Sequence, residues 1–67
     1  MPNKEAALMW IKVWGEMLRV ARATRDVHEY AKYNTKISAA LKVLLASGII
    51  TEDEEDKLWA EALGGKE

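Results

Sequence analysis

The 67-residue chain contains no cysteine and no phenylalanine, and it has one proline and one histidine. Without cysteine there is neither a disulfide framework nor a thiolate metal site, and the composition fits a reducing compartment. His28 is followed by Glu29 but by no second histidine four residues on, so the zinc-protease pattern is absent. No serine is spaced to serve as a nucleophile beside His28. An ordinary surface or helix-boundary histidine is the plain reading, with a pH switch as its rival. The longest uncharged stretches, 6–11 and 43–51, fall far short of the roughly 20 apolar residues that span a bilayer. The N-terminus also lacks the basic start and apolar run of a signal peptide. These absences predict a cytoplasmic, non-enzymatic protein with no membrane contact, metal or cofactor.

What is present is 49% hydrophobic and 31% charged, too apolar for a disordered chain and suited to a helical one. The length allows a single domain, residues 1–67. A domain of this size buries only about 60% of the surface its unfolded chain exposes, so dense helix packing or self-association has to supply its stability. Charge is unevenly placed. Residues 1–46 carry eight Lys/Arg against four acids, and residues 47–67 carry two against seven. The basic excess is modest for a dedicated nucleic-acid binder.

Asn3 is a good N-cap for a helix beginning at Lys4. From Ala7 onward Trp10, Ile11, Val13, Trp14, Met17, Leu18, Val20 and Ala21 recur at three- and four-residue steps over about half the helical wheel, which reads as a core face. Lys12, Glu16, Arg19 and Arg22 fall opposite. Near residues 22–26 this register shifts, and two readings stand. In one, Asp26 caps a second helix with Glu29 at its third position, and Val27, Tyr30, Ala31, Ile37, Leu41, Leu44 and Leu45 form its stripe. In the other, the first helix continues to about Tyr33, supported by Arg22–Asp26 and Arg25–Glu29 pairs, and breaks at Asn34-Thr35. An unbroken helix over 4–46 would be roughly 65 Å long and would need a partner along its length. Gly48 suits the left-handed position that closes a helix. Thr51 with Glu54 forms a capping box for a last helix that carries Leu58, Trp59, Ala62 and Leu63 and stops at Gly64-Gly65.

The run Leu41-Lys42-Val43-Leu44-Leu45-Ala46-Ser47-Gly48-Ile49-Ile50-Thr51-Glu52-Asp53-Glu54 resembles the SHOCT family, short modules built as helix, small-Gly-Ile-Ile-Thr turn, acidic cap and helix. The resemblance covers the C-terminal third and implies a helical hairpin and, loosely, an oligomerisation or tethering role. Where the family has an aromatic after the acidic cap this chain has Glu55, which leaves Trp59 to take over that packing.

Two surfaces are candidates for partner binding. Arg22, Arg25, Lys32 and Lys36, interleaved with His28, Tyr30 and Tyr33, form the only basic and aromatic cluster. It could dock on an acidic protein patch or hold phosphates while a tyrosine stacks on a base. The segment lacks a helix-turn-helix with a Gly-containing turn, which weakens the DNA reading. Trp10 and Trp14 share a face with Met17, and the simplest arrangement joins the first and third helices through these tryptophans and Trp59. In the functional version, Trp10, Trp14 and Met17 form the interface to a partner helix or a second copy. The acidic run Glu52 to Asp56 reads as a helix start, or as a phosphate mimic facing a neighbour's basic segment.

The sequence therefore predicts an all-α, three-helix domain with helices near 4–24, 27–46 and 52–63, able to pair as a helical homodimer. Its function is expected to be non-catalytic protein interaction or oligomerisation, in a small regulatory or accessory protein such as phages and mobile elements carry. The alternative is a small nucleic-acid-binding regulator using the Arg22–Lys36 segment.

Overall fold

The computed structural model describes residues 3–64. They form three α-helices: α1 (Lys4–Ala23), α2 (Val27–Ala46) and α3 (Glu52–Ala62), with no strand among the described residues. Each helix starts on the cap that its sequence supplies. Asn3 Oδ1 accepts from Ala6 N–H at 3.1 Å, and Asp26 Oδ1 accepts from Glu29 N–H at 3.1 Å. At Thr51 the exchange is reciprocal: Thr51 Oγ1 accepts from Glu54 N–H at 3.2 Å, and Glu54 Oε1 accepts from Thr51 N–H at 2.9 Å.

The break between α1 and α2 lies at Asp26, and Asn34 sits inside α2. Arg25 makes that break by adopting a left-handed backbone, φ 59°. Its N–H donates to the Arg22 carbonyl at 3.2 Å, and Asp26 N–H donates to the Ala21 carbonyl at 2.9 Å. This is the two-bond helix stop usually built on glycine. After α2 the same pair of bonds forms around Gly48, φ 75°: its N–H donates to the Leu45 carbonyl and Ile49 N–H to the Leu44 carbonyl, and the chain turns so that Ile50 enters the core. Gly64 ends α3 with φ 83°, while Gly65 lies outside the described residues.

α1 and α2 form an antiparallel hairpin, and α3 returns alongside α1. Ile11, Leu18, Ile37, Leu41, Leu44, Ile50 and Ala62 fill the core, with Tyr30, Tyr33, Leu58 and Trp59 packed partly against it. The molecule measures 35 × 25 × 16 Å. All three pairs of helices touch around this core.

Candidate protein-interaction surface

α1 is apolar on two sides, only one of which is covered. Ile11, Gly15, Leu18 and Ala21 are buried against α2 and α3. Met9, Trp10, Val13, Met17 and Val20 are each between 41% and 57% exposed. At 3.6 residues per turn these five fall within an arc of roughly 100°. Residues 10, 13, 17 and 20 are spaced three, four and three apart, the repeat of a helix-pairing seam. The half-wheel read from sequence as one core face is thus two adjacent faces: a buried strip and an open one. Hydrophobic periodicity marked both and could not tell which neighbour, if any, covers each.

Of the expected interface residues, Trp10 and Met17 lie on the open strip. Val13 and Val20, read from sequence as part of the core face, lie there with them, as does Met9. Trp14 is half-buried at the margin between α1 and α2. Its ring lies 5.9 Å from that of Trp10, tilted by 30°, and Lys36 Nζ sits 5.8 Å from its centroid. A groove of about 450 Å³ runs beside it, floored by Ala39 and Ala40 and flanked by Val43.

Although Trp14 and Trp59 both pack against the shared core, no pair of tryptophan rings joins α1 and α3 among the described residues. The two helices meet where Gly15 lets Ala62 approach, so closely that a Cβ at residue 15 would stand 3.1 Å from Ala62 Cα. Arg19, placed by the wheel on the polar side, is half-buried. It donates from Nη1 to the carbonyls of Glu61 (3.0 Å) and Ala62 (3.2 Å). Arg22 Nη1 reaches the Leu63 carbonyl at 3.4 Å. Arginines on α1 thus satisfy the orphan carbonyls ending α3 and complement its dipole. A glycine inside an otherwise good helix was the one sequence signal of this close packing.

The basic and aromatic segment is divided by the fold. Arg22, Arg25 and Tyr30 border a cleft of about 320 Å³ that also contains Asp26 and Val27. Lys32 projects about 160° around α2 from Tyr30 and sits 5.2 Å from the Tyr33 ring centroid, while Lys36 covers Trp14. Tyr30 and Tyr33 are half-buried against the core. His28 is exposed on the first turn of α2. Val27 and Ala31, expected in the α2 stripe, are exposed too.

The acidic run Glu52 to Asp56 opens α3. Accepting the Thr51 backbone N–H holds the Glu54 carboxyl below its ordinary pKa, and Lys4 Nζ, 3.5 Å away, acts in the same direction. Among the described residues no polar or charged side chain is buried, and no group of His, Asp or Glu is arranged to hold a metal. No helix among them is long and apolar enough to cross a membrane. No family model, curated protein or solved structure matches the chain.

Proposed function

We propose that this chain is a non-catalytic protein-interaction module that self-associates, with the open face of α1 as the contact between copies. The observation that carries the reading is the strip Met9, Trp10, Val13, Met17 and Val20, which the fold leaves 41–57% exposed. A contiguous set of large apolar side chains of this size is at the upper end of what soluble monomers expose, and such patches often serve an interface. Tryptophan and methionine are also the residue types enriched where partners meet. The resemblance of residues 41–54 to a family of short oligomerising helical modules points the same way.

The rival reading, nucleic-acid binding through Arg22, Arg25, Lys32 and Lys36, draws less support. Arg22 and Arg25 share a cleft with Asp26, whereas Lys32 and Lys36, one turn apart, lie more than 100° around α2 from Tyr30 of that cleft, so the four cations do not share one face.

Light scattering across concentration tests the proposal. The expected mass is twice the 7.6 kDa of one chain, returning to one chain in Val13→Lys with its helical circular dichroism retained. A 7.6 kDa species at every concentration overturns self-association, and a dimer indifferent to Val13→Lys overturns the choice of face.

A further inference from the structure

We infer that the partner on the open face of α1 is a second copy lying antiparallel, related by a two-fold axis that passes at the level of Gly15. This arrangement rests on the self-association reading above and adds to it a register and a direction.

The area is sufficient. The five exposed side chains present on the order of 500 Å² of apolar surface. Two copies would bury about 1,000 Å², the least expected of a specific interface, before Trp14 and the alanines at the margins add to it.

Volume fixes the direction. Positions 10, 13, 17 and 20 are symmetric about residue 15. Antiparallel pairing therefore sets Trp10 across from Val20 of the second copy, and Met17 across from Val13. Each large side chain then meets a small one, twice over, which fills the seam evenly. A parallel pair in register would stack Trp10 on Trp10 and Met17 on Met17, leaving Val13 to face Val13 and Val20 to face Val20 across a gap. Such a two-fold contact is isologous and closes on itself, giving a dimer and no filament.

Charge does not choose the direction: along the axis Glu16 of one copy lies about 3 Å from both Lys12 and Glu16 of the other, and Lys12 borders the side of α1 that faces α3.

The absence of cysteine makes a clean test available. Glu5→Cys, on the exposed first turn of α1, carries a single spin label in the full-length protein, and the distance between labels is read by pulsed electron resonance. The antiparallel dimer places the two labels about 30 Å apart along the axis. Labels within about 15 Å of each other, in a protein of dimeric mass, would mean parallel helices and overturn the inference while leaving self-association standing. A monomeric mass, with no coupling between labels, would overturn both. A protein that stays monomeric but acquires mass with an added foreign helix would assign the strip to that partner.

Discussion

Ala62 Cα lies 3.1 Å from the point that a Cβ on Gly15 would occupy, which makes residue 15 the place where α3 rests on α1. Alanine there gains about 1 kcal/mol of helix propensity and loses a comparable amount by pushing α3 back a few tenths of an ångström. Gly15→Ala is expected to fall within about 1 kcal/mol of the parent. Gly15→Leu cannot be absorbed and is expected to cost about 2–3 kcal/mol in urea unfolding. A leucine tolerated without loss would show that α3 does not dock at this point.

Arg19 holds the end of α3 from outside. Arg19→Ala removes two donated hydrogen bonds, at 3.0 and 3.2 Å, together with the packing of the arginine stem on Gly64. The freed carbonyls recover water, so the expected loss is only about 1–1.5 kcal/mol. Arg19→Lys keeps the charge but not the fork and should fall between the two. Thermal unfolding of the three proteins would order them. Equal midpoints would mean that the arginine is merely a surface group.

Arg25 stands at φ 59°, where most side chains meet strain and glycine does not. Arg25→Gly is expected to raise stability by about 0.5 kcal/mol, the relief of strain being partly offset by a freer unfolded chain. Arg25→Val should lower it by about 1 kcal/mol. Denaturant midpoints of the pair give the sign. A destabilised glycine variant would argue that the arginine side chain itself holds the turn.

That same residue explains why part of the fold was hidden in the sequence. Gly48 and the Thr51–Glu54 box announce their helix boundaries because each does its work within a few residues of backbone. The α1–α2 break, made by an arginine in a glycine's conformation, left Asn34 as a rival to the break expected near Asp26. The candidate surface is a similar case. Trp10, Val13, Met17 and Val20 are legible as apolar at helical spacing, but whether a face is covered depends on where the other helices lie. Arg19 looks like a solvated cation until α3 is placed beside it. Arg22 and Lys36 look like one patch until α2 carries them to different sides.

Glu54 makes the capping box of α3 sensitive to pH. The Thr51 N–H and, secondarily, Lys4 favour its ionised form in the folded protein and hold its pKa below the ordinary 4.5. A carboxyl whose folded value lies below its unfolded one contributes stability at every pH above the unfolded value, and that contribution is lost as pH falls through the folded value. The charge-dependent part is therefore fully present at neutrality and fades in the acid range, below about pH 4.5. Glu54→Gln keeps an oxygen to accept from Thr51 but carries no charge. Its melting temperature should lie below that of the parent at pH 7, and the two should converge as both are titrated toward pH 3. A difference between parent and variant that held constant from pH 7 to pH 3 would show that the charge contributes nothing and that the hydrogen bond alone sustains the cap.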